Sequence, residues 1–182
     1  YFLNEYSFEA SALFNPSIVP HPDQSGIARG SLRFILSLRA VGEGHVSSLT
    51  FRSGVISADA SISVDPTARL ATSPRIAHRS AGPIGDEVEI VFDPATDISE
   101  RVIFPVTESQ ANGIEDARFV QFSDEGRTTY YATYTAYRGT AIRSELIETT
   151  DFLSFRMTPL HGAAARNKGM ALFPRKIDGR YA

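Results

Sequence analysis

The chain has 182 residues, 42% of them hydrophobic, a formal net charge of −3 and no cysteine. That composition is globular and sufficient for a sizeable core, and it excludes disulfides, thiolate metal sites and a cysteine nucleophile. No run of about 18 apolar residues offers a transmembrane helix, and the mildly acidic balance argues against nucleic acid, whose phosphates call for a basic face.

No stretch carries a 3.6-residue period long enough for a major helix; short strand-like segments separated by turn signals recur instead. Strands are expected over 12–19, 32–41, 45–56, 61–64, 87–92, 101–105, 118–122, 128–137, 141–149 and 152–158, with others starting at Met170 and Arg180. Residues 20–26 are a longer loop than a tight hairpin needs, and they either edge a binding face or form a tolerated surface insertion. In Phe34-Ile35-Leu36-Ser37-Leu38-Arg39, alternation puts Ile35, Ser37 and Arg39 on one face. Phe34, Leu36 and Leu38 lie on the other, which is expected to be the core face, with Arg39 turned away from it. Residues 65–100 are rich in Ser, Pro, Gly, Asp and Arg, with Ala81-Gly82-Pro83 and Asp93-Pro94 as breakers. They read as an extended connection, or as an insertion over one face.

Four strands over 118–158 follow one another through Ser123-Asp124-Glu125-Gly126, Arg138-Gly139 and Thr150-Asp151. Such a meander is the unit of a propeller blade, although short hairpin-linked strands also fit a sandwich or barrel. A weak internal echo points to repetition: Ala40-Val41 and Val46-Ser47-Ser48 precede Ala136-Tyr137 and Ile142-Arg143-Ser144 by about two blade lengths. In the tyrosine-rich segment 129–137, alternation groups Tyr130 and Tyr134 with Ala132 and Ala136, which reads as close packing rather than as a sugar-stacking platform. The chain starts on Tyr1, not methionine, and ends on Gly179-Arg180-Tyr181-Ala182, which reads as the rising edge of a strand cut short. A fragment of a longer protein is therefore expected, and the lack of a leader says nothing about export.

The chemistry concentrates in Gly113-Ile114-Glu115-Asp116-Ala117-Arg118-Phe119. In an extended strand, neighbouring side chains point to opposite faces, so only one of Glu115 and Asp116 is expected to face a pocket. Asp116 is the candidate proton donor. Taken alone, the pair also reads as a solvated strand entry with no chemical role. Arg118, two residues on, shares the face of Asp116. A guanidinium that close favours the ionised carboxylate and makes a poorer donor, unless Arg118 turns to another partner or the proton is relayed. His21, His45, His78 and His161 are scattered without ligand spacing, so no metal site is expected. There is neither a Gly-rich phosphate loop nor a Gly-x-Ser-x-Gly elbow.

Gly113-Ile114-Glu115-Asp116-Ala117-Arg118 resembles the Gly-x-Glu-Asp-Pro-Arg signature of glycoside hydrolase family 130, the mannoside phosphorylases and mannosidases. Asn15-Pro16-Ser17, Leu36-Ser37-Leu38-Arg39-Ala40 and Asn167-Lys168-Gly169-Met170-Ala171-Leu172-Phe173-Pro174 are similar to further family stretches in the same order. Ala117 stands where the family usually has proline, which frees a backbone N–H and loosens the turn. The resemblance implies an all-β, five-bladed β-propeller, of which residues 1–182 form one partial catalytic domain of two to three blades. It implies Asp116 as the acid, acting in the phosphorylases through a hydroxyl of the mannosyl ring, and Asn15, Arg39, Glu115 and Lys168 as substrate contacts.

Inverting cleavage needs an acid on one side of the sugar ring and a nucleophile on the other. A hydrolase supplies a base for water; a phosphorylase supplies a cationic cradle for phosphate. Arg39, Arg166 and Lys168, with His161 and Asn167 nearby, are candidates for that cradle. The expectation is therefore an enzyme cleaving β-mannosides by phosphorolysis, with inorganic phosphate as co-substrate and no other cofactor. A β-1,2-mannosidase and a non-catalytic glycan-binding propeller are the alternatives. No nucleic-acid or membrane partner is expected, the oligomeric state is open, and a cytoplasmic location is expected with periplasm or secretion left open.

Overall fold

The computed structural model describes residues 6–83 and 85–182. Its strands are β1 (Ala12–Pro20), β2 (Leu32–Val41), β3 (Ser47–Ile56), β4 (Ile62–Val64), β5 (Arg75–Gly82), β6 (Gly85–Val91), β7 (Val102–Ile103), β8 (Gly113–Asp124), β9 (Arg127–Tyr137), β10 (Ile142–Thr149) and β11 (Ser154–Pro159). Helical structure among the described residues is limited to 3-10 turns of three residues. The protein is all-β, as composition and turn spacing predict.

Two antiparallel meanders organise the strands. β1–β2–β3–β4 pair in sequence as the first, and β8–β9–β10–β11 as the second. Where Asp124 pairs with Arg127, the two residues between them, Glu125 and Gly126, both have positive φ (48° and 77°). That is the backbone a tight hairpin needs to follow the strand twist. The meanders are joined into one open sheet at a single parallel bridge, Ser47 to Gly113.

The β5–β6 hairpin extends the second meander through β11, so residues 65–100 are not a plain connection. The breaker Ala81-Gly82-Pro83 is instead the approach to its turn, with Gly82 paired to Gly85. All of β5 is exposed on the sheet edge, so it buries no face and leaves no apolar alternation to read. A second correction concerns residues 170–174, which form no strand; beyond them, Ile177 and Arg180 share only an isolated bridge.

The main core is shared by both meanders and β6. Phe51 of β3 is fully buried and packs on Phe119, Phe152 and Phe155 at centroid separations of 6.2, 5.8 and 5.8 Å. Tyr130, Ala132, Tyr134 and Ala136 all belong to this core, in keeping with the packing reading of the tyrosine segment. On β2 it is Ile35, on the face of Ser37 and Arg39, that joins the main cluster; Phe34 and Leu38 are buried outside it. Both faces of β2 are thus covered, and Arg39 lies at the end of the core-facing row rather than opposite it. The echo coincides with the pairing of the first two strands, Arg39 lying opposite Phe14 and Thr135 opposite Glu115, but the third strands match one residue out of step. Arg39 pairs with Leu49, whereas Thr135 pairs with Ser144.

Candidate active site

The site is built where the first strands of the two meanders lie side by side. Each is interrupted at the same point: the β1–β2 register slips between Phe14 and Ser17, and the β8–β9 register slips between Glu115 and Arg118. In each bulge a polar residue takes a left-handed backbone, Asn15 at φ 53° and Asp116 at φ 55°. Asparagine and aspartate are among the few non-glycine residues that adopt this conformation readily. A bulge inserts a residue against the pleat and re-aims its side chain, and here the two re-aimed side chains meet. The Asn15 amide donates to Oδ1 of Asp116.

Polar stitches hold the bulged strands together. The Phe119 N–H donates to Ser17 Oγ at 2.9 Å, and Arg118 Nη1 donates to the Pro16 carbonyl at 3.3 Å. Arg118 is exposed and turned to that carbonyl, and the guanidinium that does reach Asp116 is that of Arg39.

Glu115 and Asp116 do not point apart. Arg39 Nη2 donates to Glu115 Oε1 at 2.7 Å while Nη1 donates to Asp116 Oδ1 at 3.2 Å, so one guanidinium spans both carboxylates. The expectation that only one of them faces the site fails because the bulge breaks the period-two alternation between them. Arg39 is itself fixed on its remaining sides. Its Nε donates to Ser47 Oγ at 3.0 Å, and its guanidinium lies 4.9 Å from the centre of the Phe14 ring. Ser47 is where β3 touches Gly113, and a Cβ on Gly113 would lie 2.9 Å from that of Ser47. Glycine is required there by the close approach of the strands and by a φ of 149°.

Lys168 completes the cluster, its Nζ 2.9 Å from Glu115 Oε2. Its backbone is pinned on both sides, by Ser144 Oγ donating to the Asn167 carbonyl at 2.7 Å and Thr133 Oγ1 donating to that of Met170 at 2.6 Å. Glu115 is almost fully buried, whereas the Asp116 side chain is 30% exposed and open to a ligand. Five side chains from four separate segments therefore meet: Asn15, Arg39, Glu115, Asp116 and Lys168. His161 and Arg166 are not in this hydrogen-bonded group. They line a cavity of about 480 Å3 with Arg143 and Leu160. Of residues 20–26, His21 lines a different cavity, together with Arg33, Asp65, Asp97 and Arg101.

The turn that feeds β8 is anchored by a buried polar network. Glu145, 2% exposed, accepts from Ser109 Oγ at 2.7 Å and from the Tyr134 hydroxyl at 2.5 Å. Gln110 donates to the same hydroxyl at 2.7 Å and accepts from the Val106 N–H at 2.9 Å. Burial above all, then the adjacent Glu145 carboxylate, pushes the Tyr134 phenol well above its ordinary pKa, which keeps it a donor at any working pH.

Over 79 residues the chain is similar to a mannoside phosphorylase. The relative is the beta-1,2-mannobiose phosphorylase of Listeria innocua serovar 6a, 34% identical, in a match covering 43% of this chain and 21% of that protein. The match thus spans about a fifth of the relative's length. No family model matches the chain, and no solved structure matches it.

Sequence reasoning gave no role to Ser47, Phe14 or Ser17. Ser17 stood within a quoted motif, and the parallel between Phe14-Asn15-Pro16-Ser17 and Glu115-Asp116-Ala117-Arg118 was a usable signal. Ser47 carried none, because its role depends on the Gly113 contact.

Proposed function

We propose that this chain is part of a carbohydrate-active enzyme of the glycoside hydrolase family 130 type, cleaving β-mannosides with Asp116 as the proton donor. The observation that carries the reading is the convergence on Asp116 of Asn15 and Arg39, with Glu115 and Lys168 behind them. The partial similarity to a mannobiose phosphorylase supports the substrate class. In this reading the two meanders are neighbouring blades of a five-bladed propeller, and the spacing of about two blade lengths between them is taken up by the chain that includes the β5–β6 hairpin rather than by a further blade. Their matching four-strand order and matching first-strand bulges support it.

Phosphorolysis to mannose 1-phosphate is the favoured reaction. Arg39 and Lys168 supply cations beside the acid, and Asp116 gives its proton as phosphate attacks the sugar from the opposite face. Arg166 and His161 join the cradle only if the attacking phosphate reaches towards their cavity. Hydrolysis is the second reading, favoured by one observation: both cations are already paired with Glu115, so a phosphate has to compete for them.

The test uses the full-length protein, wild type and Asp116→Asn, with β-1,2- and β-1,4-linked mannosides, with and without inorganic phosphate. Phosphate-dependent mannose 1-phosphate that is lost in the variant is the expected result. Free mannose irrespective of phosphate makes the protein a hydrolase. Sugar binding without turnover in the wild type replaces the enzyme by a glycan-binding module.

A further inference from the structure

Asp116 has two oxygens in different surroundings. Oδ1 receives both Asn15 Nδ2 and Arg39 Nη1. The amide must present its nitrogen here, because its oxygen facing a carboxylate oxygen would set two acceptors against each other. Among the described residues, none donates to Oδ2. The side chain is nevertheless 30% exposed, so the free oxygen is within reach of a ligand.

We propose that Asn15 is a positioning residue for the acid: with Arg39 it occupies Oδ1 and assigns the transferable proton to Oδ2. The inference rests on the reading of Asp116 as proton donor. A proton on Oδ1 would face two N–H donors, whereas a proton on Oδ2 meets none. In the transfer, the Oδ2–H bond breaks, the proton passes to a substrate oxygen and the electron pair stays on the carboxylate. The charge that develops spreads to Oδ1, where the Asn15 amide and the Arg39 guanidinium are already in place and need no reorganisation.

The backbone makes Asn15 suited to this role. Its left-handed φ of 53° admits asparagine, aspartate or glycine at little strain, and Ser17 and Pro16 tie its strand to β8. Of these residue types only asparagine brings a neutral donor; aspartate would set two carboxylates against each other and make them share a proton. The other charged groups around Asp116 are fixed: Arg39 spans it and Glu115, Lys168 holds the far oxygen of Glu115, and Arg118 is turned to Pro16.

The experiment compares pH profiles of kcat/KM for the full-length wild type, Asn15→Asp, Asn15→Gly and Asp116→Asn, on β-1,2-mannobiose with inorganic phosphate. Asn15→Gly keeps the backbone and removes the amide, and its kcat is expected to fall by about tenfold or more. Its KM is expected to change far less. In Asn15→Asp the alkaline limb of the profile is expected to move to higher pH by about one unit or more. If Asp116→Asn is inactive and both Asn15 variants leave the limb in place while raising only KM, Asn15 touches substrate alone and this inference is overturned. If Asp116→Asn retains activity, the acid reading itself fails and takes the inference with it.

Discussion

At the scale of single residues, the site places one partly exposed carboxylate among donors and one buried carboxylate among cations. The first suits proton transfer, and the second suits holding the cations in place. Asp116→Asn is expected to lower kcat by about 10²- to 10⁴-fold, the usual worth of a positioned acid, with little change in thermal stability. Glu115→Gln is expected to act differently. Removing the buried charge leaves Arg39 with Asp116 alone and takes from Lys168 its carboxylate, so melting temperature and activity fall together. Lys168 is half-exposed, and Lys168→Ala is expected to cost no more than about 1 kcal/mol of stability. Under phosphorolysis it raises the KM for phosphate more than that for the mannoside. An equal rise in both KM values would tie Lys168 to the sugar instead.

At the scale of elements, the site depends on strand contacts that no ladder of hydrogen bonds enforces. Gly113→Ala is the sharpest probe. The new Cβ meets Ser47 at 2.9 Å on a backbone that disfavours side chains, and Ser47 is the residue that holds Nε of Arg39. A loss of about 1–3 kcal/mol in urea unfolding is expected, together with a drop in activity transmitted through the Ser47 contact with Arg39. At the far end of β1, burial holds His21 below its ordinary pKa, partly opposed by its contact with the Asp23 backbone. The folded protein therefore resists protonating His21, while the unfolded chain takes up a proton near pH 6.5. Stability from this residue is present above that pH and is lost as the pH falls below it. His21→Asn is expected to flatten the slope of melting temperature against pH between about 5 and 7.

At the scale of the whole molecule, the two meanders share one core, in which Phe51 of the first packs on Phe119, Phe152 and Phe155. Phe51→Ala is expected to lose about 3–5 kcal/mol, and because the core is common the unfolding transition is expected to remain single. Two separate transitions in calorimetry would mean that each meander stands alone.

The all-β class and the second meander were legible from the chain itself. Ser123-Asp124-Glu125-Gly126 and Arg138-Gly139 mark turns by residue chemistry, and the alternation of Tyr130, Ala132, Tyr134 and Ala136 marks a buried face. These are local properties, carried by neighbours two to four residues apart. Of the β5–β6 hairpin, β6 was legible as the strand expected over 87–92, but β5 was not, because an exposed edge strand buries no face and leaves no period in the sequence. Nor was the meeting of Glu115 with Asp116 around Arg39. A β-bulge is a property of two paired strands, in which two residues on one strand oppose one on its partner. Its effect on side-chain direction therefore exists only once the partner is in place. The chain alone determined which residue types were available for chemistry; the contact between Asn15 and Asp116 was decided by the tertiary structure, because only the packing of β1 against β8 brings residues so far apart in sequence within one hydrogen bond.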